Sequence, residues 1–260
     1  MPAPPTSRVL SSTSSAASSA RLPAVLQDLT VKVFADGADL DSILTLAENP
    51  RVAGFTTNPT LMWKAGLTEY ADFAERLLER ITVHPISFEV FGDDIDEMRR
   101  QARLIASWGN NVYVKIPVTT TSGQSMAPLV RELSEDGVKV NVTALFTTAQ
   151  VELITAAVKD GAPSYISVFA GRIADAGVDP MPIIANAVSV MADAPRSELI
   201  WASPREILNV VQADQVGCHI ITLTHELLGK LDALGKSLDQ FSLETVQMFH
   251  RDAQSAGFTL

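Results

Sequence analysis

The chain has 260 residues, 47% of them hydrophobic and 19% charged, a globular composition that excludes wholesale disorder. Thirty acidic residues against 20 basic ones leave a formal net charge of −10; this argues against nucleic-acid or membrane-surface binding, which need a basic footprint, and means that an anionic substrate must be met by locally concentrated Arg or Lys. One cysteine, Cys218, excludes an internal disulfide framework and a cysteine-built metal site and makes a reducing cytoplasm the default compartment, while no stretch approaches the ~18 apolar residues of a membrane span.

Residues 1–27 hold a Ser/Ala-rich tract at 11–20, Arg8 and Arg21, and no acid before Asp28. Such a segment cannot bury enough apolar surface to offset the entropy of ordering, so it is expected to be a disordered extension. The same composition describes an organellar transit peptide or an early start codon, but not a secretory signal, which needs a continuous apolar run. Residues 28–260 are expected to form one domain.

From Val31 the chain repeats one grammar: a β-rich run, a polar turn, a helical stretch. Runs rich in Val, Ile, Phe and Thr predict strands over residues 31–35, 54–57, 86–90, 112–116, 138–143, 165–169, 199–202 and 219–223. Between them, Ile95, Met98, Ala102 and Ile105 recur at helical spacing within 94–107, with Asp93 as a candidate N-cap. Residues 148–158 form another helical stretch, capped by Thr147 or Thr148. Alternating βα units make the sheet parallel, and eight of them predict closure into a single (β/α)8 barrel of the TIM type. An open doubly wound sheet is the runner-up. It usually carries a G-x-G-x-x-G first turn, which Asp36-Gly37-Ala38-Asp39 is not. No P-loop, zinc-ligand or EF-hand spacing is present, so no metal site is expected. A final stretch, 241–258, has Leu243, Val246, Phe249 and Ala253 at helical spacing and reads as an amphipathic C-terminal helix.

A barrel places its active site at the C-terminal ends of its strands. There the sequence has Asp36, Asn58, Glu89, Lys115, Asn141, Thr143, Ser167, Phe169, Arg172, Ser203 and Arg205. Lys115 is the most informative. Flanked by Val114 and Ile116, it should point into the barrel, and burial in low dielectric favours the neutral amine that attacks a carbonyl to form a Schiff base. The alternative is a lysine paired with an inward carboxylate such as Glu89 or Asp36. Those two carboxylates suit proton transfer at two points of one reaction. Asp36 could equally be a helix cap, Asn58 a turn residue and Thr143 an ordinary strand residue. Arg172 and Arg205, with Ser203 and the free N–H groups of a helix beginning near Arg205, answer the charge problem as a phosphate site. The alternative for each Arg is a surface salt bridge. His84, His219, His225 and His250 show no ligand spacing, His219 and Cys218 read as core, and Trp108 and Trp201 read as packing residues.

Taken together, the motifs resemble the transaldolase family. Those carrying the resemblance are Phe34-Ala35-Asp36-Gly37-Ala38-Asp39, Gly54-Phe55-Thr56-Thr57-Asn58-Pro59-Thr60-Leu61 and Val112-Tyr113-Val114-Lys115-Ile116-Pro117-Val118-Thr119, followed by Asn141-Val142-Thr143-Ala144-Leu145-Phe146, Ser167-Val168-Phe169-Ala170-Gly171-Arg172-Ile173 and Ala202-Ser203-Pro204-Arg205. The length is that of the short type, which includes the fructose-6-phosphate-aldolase-like enzymes. Three positions depart from the family pattern. Phe55 stands where a smaller residue is usual and is expected to crowd the site beside Asn58; Val168 replaces a common Pro, and Pro204 a frequent aromatic.

The resemblance implies transfer of a dihydroxyacetone unit from a ketose phosphate, such as fructose 6-phosphate or sedoheptulose 7-phosphate, to an aldose. The setting would be the pentose phosphate pathway or a specialised biosynthesis. It implies Lys115 as the Schiff-base nucleophile, Asp36 as the acid–base group at the C4 hydroxyl, and Glu89 with Thr143 moving protons through a water. Asn58, Asn141, Ser167 and Phe169 would contact the sugar, and Arg172, Ser203 and Arg205 its phosphate. No metal or organic cofactor is implied, because the imine is the electron sink. Glu89 and Phe169 match the transferase branch; aldolase-type members carry Gln and Tyr there. A fructose-6-phosphate-type aldolase and a non-catalytic sugar-phosphate-binding barrel are the alternatives. Short members are often oligomers in which the C-terminal helix packs on a neighbour, so a homo-oligomer is expected.

Overall fold

The computed structural model describes residues 29–259, apart from Ala38, Ala65, Leu67 and Thr68; the expectations for residues 1–27 lie outside the described residues. Eight parallel strands close into a barrel in sequence order: β1 Lys32–Asp36, β2 Val52–Thr56, β3 Ile86–Glu89, β4 Val112–Pro117, β5 Val140–Leu145, β6 Ser164–Val168, β7 Ser197–Trp201 and β8 Ile220–Thr224, with β8 paired back onto β1. The helices are α1 Leu40–Ala47, α2 Pro59–Lys64, α3 Tyr70–Leu78, α4 Ile95–Ala106, α5 Ala127–Glu135, α6 Thr148–Val158, α7 Ala170–Asp175, α8 Met181–Met191, α9 Leu208–Gln215, α10 His225–Leu228 and α11 Leu238–Ser255. This is the (β/α)8 barrel.

Local chemistry sets the boundaries. Asp39 caps α1 through Ser42 N–H, and Thr147 caps α6 in a reciprocal capping box with Gln150. Asp94, not Asp93, caps α4, by accepting from Glu97 N–H. Asp93 instead accepts from the Thr121 N–H at 2.8 Å and from its hydroxyl, joining the loops after β3 and β4. Adjacent Asp residues are equivalent to a capping rule read from sequence, and the loop contact decides between them. Along α4, the predicted stripe is buried at Met98, Ala102 and Ile105.

Strand residues alternate between two cores. Outward-facing residues such as Val33, Phe55, Phe88, Val114, Val142 and Ile221 pack under the helices. Phe55 is fully buried there, edge-on to His84, so it does not crowd Asn58. Inside the barrel, Phe34, Tyr113, Tyr165, Ile200 and Ile220 form a plug, with Tyr113 and Tyr165 stacked at 4.0 Å. Gly54 is required here, because a Cβ on it would stand 2.6 Å from the Phe34 ring. The plug gives the barrel a floor, and the next inward layer up is polar. Cys218 is buried, as expected, and His219 accepts the Leu199 N–H at 3.0 Å as part of the β7–β8 junction. Trp201 is fully buried and Trp108 packs against the core.

The C-terminal helix α11 forms, starting at Leu238 rather than 241, but buries none of its residues. Leu243, Val246 and Phe249 are 56%, 60% and 63% exposed. Among the described residues no helix is long and apolar enough to cross a membrane.

Candidate active site

The polar layer lies at the C-terminal end of the strands. Parallel register sets Glu89 beside Lys115, and Lys115 beside Asn141, on three neighbouring strands. Lys115 Nζ donates to the Thr57 carbonyl at 2.9 Å and stands 3.5 Å from Glu89 Oε2. Its residue exposure is 9%, so the amine is sequestered yet still borders a cavity of about 200 Å³. The cavity brings together Asp36, Asn58, Lys115, Thr143, Ser167, Phe169, Arg172, Ser203 and Arg205. A larger hollow, about 500 Å³, lies between α1 and residues 80–84, at the opposite end of the strands, away from Lys115. The smaller cavity is the candidate site because the buried amine and the Asp36 carboxyl both line it.

Asp36 and Glu89 are both shifted upward. For Asp36 the main cause is burial, opposed by the Lys115 charge and by hydrogen bonds from Thr56 and Asn58. For Glu89 burial again dominates, opposed by Lys115 and reinforced by Asp36. Two carboxylates raised by burial and flanking one amine hold their protons more readily than exposed ones, which suits acid–base chemistry. Thr56 Oγ1 donates to Asp36 Oδ1 at 3.0 Å and touches Thr222 Oγ1 at 2.7 Å. This holds one edge of the carboxylate.

The other predicted residues divide by position. Ser167 Oγ donates to Asn141 Oδ1 at 2.7 Å, and Asn141 Nδ2 donates to Ser87 Oγ at 2.9 Å. Asn141 is fully buried, with both ends of its amide occupied; it supports Ser167 from beneath and does not line the cavity. Glu89 also lies off the cavity wall, behind Lys115. Thr143 Oγ1 is buried at the cavity with no hydrogen-bond partner among the described residues. A buried hydroxyl left open in this way can take a water or a substrate hydroxyl. The next residue, Ala144, has φ 62°, where the β5–β6 register shifts.

Phe169, the last residue of the predicted strand, instead follows β6 and packs on the barrel plug; Arg172 lies over its ring at 5.1 Å. Ser203 follows β7 with φ 60°. It and Ala144 are the non-glycine residues of positive φ among those described, and both sit at this rim. Such conformations cost on the order of 1–3 kcal/mol and persist where surroundings enforce them. One enforcing contact is with Gly171, whose added Cβ would fall 1.5 Å from the Ser203 carbonyl oxygen. Arg205 is not at a helix start: α9 begins at Leu208, and the N–H groups of Arg205 and Glu206 are taken by Asn209 Oδ1. Its guanidinium is engaged by Asp175, with Nε at 2.9 Å from Oδ1 and Nη2 on Oδ2. The pair is half exposed, and such pairs are worth only ~0–1 kcal/mol, so an arriving phosphate can share or displace the carboxylate.

The sequence reading did not identify Thr56, Thr222, Ser87 or Tyr70. The first three are small hydroxyl residues at inward strand positions, where only the polar alternation marks them.

Residues 33–260 match the family model described as Transaldolase/Fructose-6-phosphate aldolase. "Probable transaldolase 2" of Listeria monocytogenes is 38% identical over 204 residues, 77% of this chain and 88% of that protein. "Probable transaldolase" of Dehalococcoides mccartyi is 35% identical over 199 residues, 76% of this chain and 88% of that one. The solved structure of 2,3-dimethylmalate lyase overlaps 89% of this chain and 86% of its own, with TM-score 0.50 and 12% identity, a likeness of fold alone. The chain belongs to the transaldolase/fructose-6-phosphate aldolase family of enzymes.

Proposed function

We propose that this enzyme is a cytoplasmic transaldolase that moves a dihydroxyacetone unit from a ketose phosphate to an aldose through a Schiff base on Lys115. The observation that carries the reading is the sequestered Lys115 amine, set beside Glu89, near Asp36, and bordering a cavity whose rim holds Arg172 and Arg205. The arginines offset locally the repulsion that a net charge of −10 exerts on a phosphate.

The Lys115 amine attacks the C2 carbonyl, and loss of water gives the iminium. Protons for this step pass through Glu89 and a water held at the open hydroxyl of Thr143. Asp36 takes the C4 hydroxyl proton, the C3–C4 bond breaks to release an aldehyde, and the bonding electrons pass into the iminium as an enamine. The enamine carbon then attacks the acceptor aldehyde, Asp36 returns its proton to the new alkoxide, and hydrolysis frees the product and the amine. Asn58 and Ser167 orient hydroxyls, Asn141 acts by fixing Ser167, and Arg172, Ser203 and Arg205 bind phosphate. The iminium is the electron sink, so this scheme needs no metal or organic cofactor.

Transfer is favoured over release of free dihydroxyacetone by Phe169. A hydroxyl at that position could orient a water and hand over a proton; a phenyl ring packed against Phe146 does neither and keeps the intermediate drier. The test is a steady-state assay of fructose 6-phosphate cleavage with and without erythrose 4-phosphate. Dihydroxyacetone should appear slowly, and the aldose phosphate should accelerate turnover greatly. Phe169→Tyr should raise the hydrolytic rate and lower the transfer-to-hydrolysis ratio. Wild-type enzyme that releases dihydroxyacetone as fast as it transfers it would replace the transaldolase reading with the aldolase one.

The uncovered face of α11, with Leu243, Val246 and Phe249 largely exposed, supports a homo-oligomer in which this helix packs on a neighbouring copy. Light scattering should give a mass that is a multiple of 27.9 kDa. A monomer at that mass would refute the assembly.

A further inference from the structure

The seam between β2 and β3 is short: Phe55 pairs with Ile86 and Thr56 with Ser87, and the regular register ends there. The backbone bonds Phe55 N–H to Pro85 O and Thr57 N–H to Ser87 O define where the ladder would run next. In a parallel ladder a residue that donates to one partner carbonyl accepts, at its own carbonyl, from the N–H two residues further on. Thr57 O should therefore receive the Glu89 N–H. It receives Lys115 Nζ instead, at 2.9 Å. The displaced Glu89 N–H donates to the hydroxyl of Tyr70 at 2.7 Å.

We propose that Tyr70 is a positioning residue for the nucleophile: its hydroxyl takes over the ladder bond of Glu89, which leaves the Thr57 carbonyl for the Lys115 amine and pins the strand that carries Glu89. This role rests on the Schiff-base reading of Lys115. The side chain is built for it. Tyr70 opens α3, and its ring meets Phe91 at 4.7 Å and Phe88 at 6.1 Å, both edge-on, with Trp108 also at 6.1 Å. Burial pushes the phenol up to about 12, which keeps it neutral and hydrogen-bonding throughout the working range. Without the hydroxyl, the orphaned Glu89 N–H would compete for Thr57 O, because an unpaired buried donor is costly.

The experiment compares wild type, Tyr70→Phe and Phe91→Leu in three measurements. These are the single-turnover rate at which fructose 6-phosphate becomes trappable on Lys115 by borohydride, kcat and KM at steady state, and the melting temperature. Tyr70→Phe keeps the ring and its packing. It should slow imine formation and kcat on the order of tenfold, the effect of one lost hydrogen bond, with KM and melting close to wild type. Phe91→Leu keeps the Tyr70 hydroxyl and should lower melting while slowing imine formation much less than Tyr70→Phe does. Wild-type imine formation in Tyr70→Phe, or rates that fall in both variants in step with melting, would overturn the positioning role alone. A wild-type enzyme that forms no adduct would overturn the Schiff-base reading and this role with it.

Discussion

Asp36→Asn is expected to slow carbon–carbon cleavage by ~10²–10⁴-fold, the usual worth of a positioned general base, while KM for the ketose phosphate changes little. The amide keeps the shape and still accepts from Thr56, but it cannot take the C4 hydroxyl proton. Single-turnover cleavage of fructose 6-phosphate checks this, and a change confined to KM would give Asp36 a binding role instead. The same substitution should raise thermal stability at neutral pH. Burial holds the Asp36 carboxyl above its ordinary range, so the wild-type fold gains stability as pH falls through that raised value and loses it as pH rises. The Asn variant does not have this dependence. Melting curves at pH 8 should favour it, and the difference should close on acidification.

Lys115→Ala is expected to abolish turnover, since no other amine is placed to carry the substrate among the residues lining this cavity. Its effect on stability should be of opposite sign. Lys115 lowers both Asp36 and Glu89 against the upward push of burial, and without it the two carboxylates face each other uncompensated. Both would rise further, so the variant should melt lower than wild type at neutral pH and recover as pH falls and the pair takes up protons. Opposite shifts at pH 8, upward for Asp36→Asn and downward for Lys115→Ala, would locate the electrostatic strain of the fold in this one cluster. Parallel shifts would not fit.

Much of this could be read from the sequence because each strand carries its own signal. The β-rich runs identified the strands to within about two residues, since period-two alternation of Lys115 between Val114 and Ile116 is a local property. Inward polar residues could be named strand by strand for the same reason. What remained hidden depends on contacts between distant segments. Asn141 looks like Ser167 in a strand pattern, yet one lies behind the cavity wall and the other on it, because Ser87 from β3 claims the Asn141 amide. Arg205 looks free until Asp175, 30 residues earlier, closes on it. Phe55 looks obstructive until the β1–β2 register, which shifts between Val33 and Phe34, turns it beneath the helices. Tyr70 carries no motif at all; its position follows from where the β2–β3 ladder stops, a fact of three-dimensional register.

The central claim is that Lys115 forms the covalent intermediate, and borohydride reduction of the wild-type enzyme during turnover of fructose 6-phosphate tests it most directly. Peptide mapping of the reduced protein should find one stable sugar-derived mass increment, located on the peptide containing Lys115 and absent when either the sugar or the borohydride is omitted. An active enzyme that yields no adduct, or one whose adduct maps to another lysine, would contradict the account.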